Sequence, residues 1–174
     1  MSKIAGFDGA PASELRPSLL ALTESSRWAD ELLLDRPYGD LEHLLDASDR
    51  IVRALPAAQV DAALAGHPRI GEHAGGLHPE AAVRSAREQA GMSGVDAETA
   101  AAMAQGNAAY EARFGRIYLV AAAGRSATDL LTFLRNRLRN DPETELNVVR
   151  AELARITRLR LADRFGTDQH EELS

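Results

Sequence analysis

Apolar residues recur about every three to four positions along most of the chain, the spacing that places them on one face of an α-helix. The pattern predicts one or two short helices between Glu14 and Leu33, a helix capped by Asp40, and a short helix from Pro56 to about Ala65. Alanine is abundant and adds helix propensity. We therefore expect an all-α fold of about eight to nine helices.

The second half of the chain continues this pattern. A helix is predicted to run through residues 84–90, and a longer one runs from Ala97 to about Phe114. Ser126, with an acidic residue at the third position after it, caps the next helix. The last helix begins at Pro142, because proline is tolerated in the first turn.

Two segments break the helical pattern. Residues 66–76, GHPRIGEHAGG, are too rich in glycine for a regular element and too long for a simple turn, so we expect a functional loop. Residues 116–123 are apolar and β-branched, which fits either a short strand or an extended buried segment.

The pattern indicates one compact helical bundle over residues 1–174, with its core at about 12–165. Lys3 is expected in a frayed N-terminal tail, and the acidic segment 166–174 is expected to be disordered. We expect a soluble cytoplasmic protein, because the N-terminus lacks the apolar run of about seven residues that an export signal needs. No run approaches the roughly eighteen apolar residues of a membrane span.

Composition removes several kinds of chemistry. The chain has no cysteine, which excludes disulfides, thiolate metal sites and cysteine nucleophiles. Its only lysine is Lys3, so a catalytic cation must be arginine or histidine. The net charge of -6 gives no indication of nucleic acid or an anionic membrane as a partner.

Three histidines fall close together around the glycine-rich loop: His67, His73 and His78. Their spacing does not match a helical metal pair, so we expect no metal, although loop histidines can still converge on zinc. His67 is distinct because Pro68 holds its backbone extended. Two interpretations stay open for His67, a pre-positioned imidazole or a cap on the end of the preceding helix.

Ser85 and Glu88, followed by Gln89, have the spacing of a capping box at a helix N-terminus. The alternative is a site in which these side chains and the free N–H groups of that helix end bind an anionic substrate. The two interpretations are compatible.

The last helix carries an apolar stripe whose next step is Arg160. An arginine aimed inward must be paired, either with a buried structural carboxylate or with an anionic ligand. Asn107 is also expected to point inward from the long helix and to tie the loop that follows that helix.

Several spaced motifs in this order resemble the 2-oxo-4-hydroxy-4-carboxy-5-ureidoimidazoline (OHCU) decarboxylase family, from about Trp28 to Phe165. The matching motifs are His67-Pro68-Arg69-Ile70-Gly71, Ser85-x-x-Glu88-Gln89, Asn107-x-x-Tyr110-x-x-Arg113-Phe114-Gly115, Asn140-Asp141 and Ile156-Thr157-Arg158-Leu159-Arg160-Leu161.

The resemblance implies an all-α, cofactor-free and dimeric enzyme of urate degradation that releases CO2 and gives (S)-allantoin. It assigns acid/base catalysis to His67 and catalytic roles to Glu88 and Arg160. It also implies substrate contacts, which would come from Pro68, Ser85, Gln89 and the backbone of Tyr118, Leu119, Val120, Ala121 and Ala122. An association with the preceding hydrolase of the pathway stays open.

We hypothesise that neutral His67 takes the proton of the substrate hydroxyl and then protonates one face of the carbanion. Glu88 would steer either the substrate or the imidazole, and Arg160 would stabilise the developing charge. Two other classes remain as alternatives, a non-catalytic helical module that binds a ureido or purine-like anion and a metal-dependent hydrolase that uses the loop histidines.

Overall fold

The computed structural model describes residues 3–72 and 79–166, with side chains omitted for 79–82. Within these ranges every regular element is helical, which confirms the all-α prediction. The helices are α1 (Lys3–Gly9), α2 (Ala12–Leu20), α3 (Ser26–Leu34), α4 (Leu41–Arg53), α5 (Ala57–Leu64), α6 (Pro79–Glu88), α7 (Ala97–Phe114), α8 (Ala127–Arg137) and α9 (Pro142–Phe165). A short 3-10 turn, Ala90–Met92, follows α6.

The predicted helix ends are set by local side-chain chemistry. Asp40 accepts the backbone N–H of His43 at the start of α4, and Ser126 forms a complete capping box with Asp129 at the start of α8. Pro142 lies in the first turn of α9, where its missing N–H costs nothing. These boundaries confirm the predictions.

The prediction of a frayed N-terminus is wrong for residues 3–9. These residues form α1, whose Ile4 and Phe7 are buried. The ring of Phe7 packs edge-on against Phe165 at 4.9 Å between centroids. The sequence did not reveal this because two large apolar residues in a segment of seven are too few to establish a helical period.

Helices α4 and α9 pack against each other, and this pairing fixes the helix that carries Arg160. Arg158 on α9 bonds to three carboxylates of α4, at 2.6 Å from Glu42, 2.9 Å from Asp46 and 3.0 Å from Asp49. Arg160, two positions further along the helix, therefore lies on the opposite side of α9 and faces the interior.

An extended segment, residues 117–122, passes between two hydrophobic clusters; we call it the wall segment. Leu119 and Ala121 pack into one cluster, whereas Tyr118, Val120 and Ala122 pack into the other. This alternation is that of a β-strand. Of the two structures predicted for this run, the extended buried segment is the one observed.

None of the helices described is long and apolar enough to cross a membrane. The glycine-rich loop is described as far as Glu72, and the tail predicted to be disordered lies outside the described residues from position 167 onward.

Candidate active site

His67 follows α5 and uses only one ring nitrogen for structure. Its Nδ1 lies 2.9 Å from the carbonyl oxygen of Ala63 in the last turn of α5. A carbonyl can only accept, so Nδ1 carries the proton in the neutral ring and Nε2 keeps a lone pair. Nε2 is buried and has no hydrogen-bond partner among the residues described. His67 therefore caps the helix, as one interpretation predicted, and also presents a free basic nitrogen.

The pKa of His67 is lowered to about 3, chiefly by burial and then by the positive charge of Arg160. The hydrogen bond to Ala63 acts in the opposite direction but is the smaller effect. The imidazole is therefore neutral at physiological pH, and Nε2 is ready to accept a proton rather than to donate one.

Arg160 projects inward from α9, as the apolar stripe predicted, and pairs with Glu88 at the end of α6. Arg160 Nε and Nη2 donate to the two carboxylate oxygens at 2.7 and 2.8 Å. Its third nitrogen, Nη1, donates to the carbonyl of Leu22 at 2.7 Å. Of the two partners predicted for Arg160, a carboxylate is the one observed, and all three nitrogens of the guanidinium are engaged.

The predicted capping box at Ser85 is wrong. Helix α6 begins at Pro79, so Ser85 and Glu88 lie in its last turns, and the backbone N–H of Gln89 bonds to the Ser85 carbonyl at 3.0 Å. This end of the helix is the negative end of its dipole and has no free N–H groups for an anion. The positive charge beside it comes from Arg160 instead.

Two side-chain amides hold the loop that carries His67. Gln89 accepts the N–H of Gly71 at 3.0 Å and donates to the carbonyl of Arg69 at 3.4 Å. Asn107 is buried as predicted, but its Nδ2 donates to the carbonyl of Ile70 at 2.9 Å. It therefore ties the loop after α5 and not, as predicted, the loop that follows its own helix.

These elements enclose a cavity with about 410 Å³ of empty space, counting the part open to solvent. Its walls come from the His67 loop, the end of α6, the wall segment and α9. They are lined by His67, Pro68, Ile70, Ser85, Glu88, Gln89, Leu119, Val120, Ala121, Ala122, Ala123, Ile156 and Leu159.

The structure brings most of the predicted site residues to this cavity, with two exceptions. Tyr118 turns away and donates its hydroxyl to the carbonyl of Leu130 at 3.0 Å. Arg160 lies behind Glu88 and borders a neighbouring surface cleft with Arg84 and Arg164. The motifs did not single out Leu159 as a lining residue, although it adjoins Arg160 in sequence; it is about half exposed at the cavity.

No group of three or more histidine and carboxylate side chains that could hold a metal occurs among the described residues. His73 and His78, on which the metal-hydrolase alternative depends, lie outside the described residues, as does His170. What the described cavity offers is one neutral base, a carboxylate paired to an arginine, and apolar and backbone surface.

A comparison with protein families matches residues 8–162 to the model described as OHCU decarboxylase. The mouse 2-oxo-4-hydroxy-4-carboxy-5-ureidoimidazoline decarboxylase is 30% identical over 138 residues, which cover 78% of this chain and 76% of the mouse protein. The uric acid degradation bifunctional protein TTL of Arabidopsis thaliana is 29% identical over 82% of this chain. The matching region is 44% of that protein, so the chain spans less than half of its length.

Among solved structures, an OHCU decarboxylase crystallised in the presence of (S)-allantoin superposes with a TM-score of 0.71 at 24% identity. The alignment covers 86% of this chain and 98% of the solved one, which shows a shared fold. The family model, by contrast, spans nearly the whole described chain and includes every cavity-lining residue. The chain therefore belongs to the OHCU decarboxylase family.

Proposed function

We propose that this protein is a cofactor-independent decarboxylase of urate degradation that converts OHCU into (S)-allantoin and CO2. The observation that carries the proposal is the state of His67, a neutral imidazole at the cavity with its basic Nε2 unpartnered among the described residues. Family membership supplies the substrate.

The first step is removal of a proton, because a histidine with so low a pKa has no proton to give at the outset. Nε2 takes the proton of the substrate hydroxyl, and the Nδ1 bond to Ala63 keeps the ring in place during the transfer. The positive imidazolium then lies beside the negative charge that the substrate has gained.

The carbon–carboxylate bond breaks next, and CO2 leaves. The electron pair of that bond moves into the conjugated ring and ends on the ring nitrogen of the former C=N bond. The imidazolium returns its proton to the carbon that bears the ureido group, the hydroxyl carbon becomes a carbonyl, and the ring nitrogen gains a proton from water. Protonation from the side of His67 alone gives a single enantiomer.

Glu88 and Arg160 act as a unit in this proposal. The two hydrogen bonds from Arg160 fix the Glu88 carboxylate at the cavity, where it can accept N–H donors of the ureido group. Arg160 also offsets the carboxylate's charge, which would otherwise repel an anionic substrate. Pro68, Ser85, Gln89 and the wall segment complete the proposed binding surface.

The decisive experiment is turnover of freshly prepared OHCU by the purified protein, followed by circular dichroism of the product. The expected result is rapid formation of (S)-allantoin, against slow formation of a racemate in buffer. Substrate binding without a rate above that of buffer would instead support the non-catalytic binding module.

The proposal extends to a cytoplasmic homodimer that associates with the preceding hydrolase. Relatives named as bifunctional uric acid degradation proteins support the association, because the matching region there is only part of a longer chain.

Light scattering of the purified chain tests the dimer, and co-purification with the hydrolase tests the association. A monomer at micromolar concentration, or no co-purification, contradicts the corresponding part. Fractionation of cells that produce the protein tests its location.

A further inference from the structure

The wall segment is an isolated strand-like segment, because no strand pairs with it among the described residues. An extended backbone needs partners for its N–H and C=O groups when it is buried. In such a segment these groups alternate between two edges, so residues 119 and 121 present theirs on the same edge. Val120 presents its own on the other edge.

Two buried side chains of opposite charge hold the first edge. The N–H of Ala121 donates to Oε2 of Glu152 at 2.8 Å, and Arg137 donates from Nη1 to the carbonyl of Leu119. Glu152 comes from α9 and Arg137 from the end of α8, so the edge is fixed to two helices.

The second edge, formed by the backbone N–H and C=O of Val120, is available to a ligand. Within the part of the chain that the structure describes, no hydrogen bond uses the backbone N–H or C=O of Val120, although Val120 lines the cavity. Its donor and acceptor match the adjacent C=O and N–H groups of a cyclic urea.

We propose that Glu152, assisted by Arg137, is a positioning residue of this enzyme. By holding the edge of Leu119 and Ala121, it keeps the Val120 edge turned toward the substrate and fixes the substrate plane relative to His67. This inference rests on the proposed function. Glu152 itself does not line the cavity and acts only through the wall segment.

Glu152 is the better residue to test, because the shorter of its two other contacts can be removed separately. Its second oxygen, Oε1, accepts a 2.7 Å hydrogen bond from Arg155, whose side chain is 56% exposed. Oε2 also lies 3.9 Å from Nη1 of Arg125, a longer ion pair. Arg137 is less suitable, since its guanidinium also pairs with the buried Glu145, and its removal would leave that carboxylate without its counter-ion.

The experiment compares Glu152→Ala, Glu152→Gln and the control Arg155→Ala. Loss of the acceptor in Glu152→Ala should lower kcat/KM at least about tenfold, chiefly through KM, because small misplacements of a binding surface are costly. Glu152→Gln keeps an oxygen for the Ala121 N–H and should recover most of the loss. Arg155→Ala removes the ion pair between Arg155 and Oε1 of Glu152 and should behave as wild type.

A folded Glu152→Ala enzyme with wild-type KM and kcat would overturn the inference, as would an Arg155→Ala enzyme impaired to the same extent. Amide hydrogen exchange at Ala121 gives a second readout that needs no turnover. Exchange should quicken in Glu152→Ala and not in Glu152→Gln; equal exchange in both contradicts the positioning contact. If wild type exchanges as expected but does not decarboxylate OHCU, the proposed function fails and the contact stands.

Discussion

The carboxylate of Glu88 and the guanidinium of Arg160 face each other through two parallel hydrogen bonds of 2.7 and 2.8 Å, although 72 residues separate them in the chain. The pair joins the last residue of α6 to the inner face of α9, and Arg160 is almost fully buried. Such a pair has a large effect when one member is removed, because the other is left without its counter-ion.

Arg160→Ala should therefore lose both activity and stability. We expect kcat/KM to fall at least about 100-fold and the free energy of unfolding to fall by about 2 kcal/mol, less than for a fully buried pair because Glu88 is 24% exposed. Steady-state kinetics and urea denaturation measure the two effects. Arg87→Ala, which removes an exposed pair with Asp163, is the control and should change neither by much.

His67→Ala should abolish the rapid formation of (S)-allantoin, because no other described group at the cavity is a neutral base. The measurement is circular dichroism of the product with the spontaneous reaction subtracted. His43→Ala is the matched control, since the exposed His43 contacts Asp40 in its own helix turn at 2.8 Å and does not line the cavity. A His67→Ala protein that still gave one enantiomer at the wild-type rate would contradict the assignment of His67 as the acid/base.

The low pKa of His67 makes stability depend on pH in a defined direction. Between about pH 6.5 and 3 the unfolded chain binds a proton at His67 that the folded chain does not, so stability falls as the pH falls through this window. At pH 5 we expect wild type to have lost about 2 kcal/mol more than His67→Ala, relative to pH 7. Urea denaturation at both pH values checks this, and equal losses would contradict it.

The pH dependence of the reaction should show no fall near pH 6.5. His67 is already neutral at pH 5, so the decrease in kcat/KM that an ordinary histidine base would cause should be absent. Rates from pH 5 to 8, taken over seconds so that the protein stays folded, measure this profile. A sigmoidal loss of activity centred near pH 6.5 would show that the imidazole titrates normally.

Asn107→Ala should loosen the loop that carries His67. Loss of the buried hydrogen bond to the carbonyl of Ile70 should cost about 1–3 kcal/mol of stability and reduce kcat, because it displaces the loop that holds the base together with Pro68 and Ile70 at the cavity. Gln105→Ala on the exposed side of the same helix is the control. Wild-type kcat in a destabilised Asn107→Ala protein would show that the contact is structural only.

Some features followed from neighbouring residues alone. The caps at Asp40 and Ser126 were predictable, because each depends on a side chain and an N–H three residues away. The same kind of evidence failed at Ser85, since a serine three residues before a glutamate is as compatible with the last turns of a helix as with its first. The start of that helix at Pro79, six positions earlier, decided between them.

The sequence by itself determined the helical class, most helix ends, the inward direction of Arg160 and the resemblance that names His67, because these depend on local periodicity and on residue types in order. Only the tertiary structure decided that Arg160 is held by Glu88, that Asn107 ties the loop before its helix, and that α1 belongs to the core. Those partners lie far away in the chain, and the packing of helices selects among many that local chemistry would accept. The same holds for His67, whose basic nitrogen is defined by the carbonyl of Ala63 and by the burial that the rest of the fold imposes.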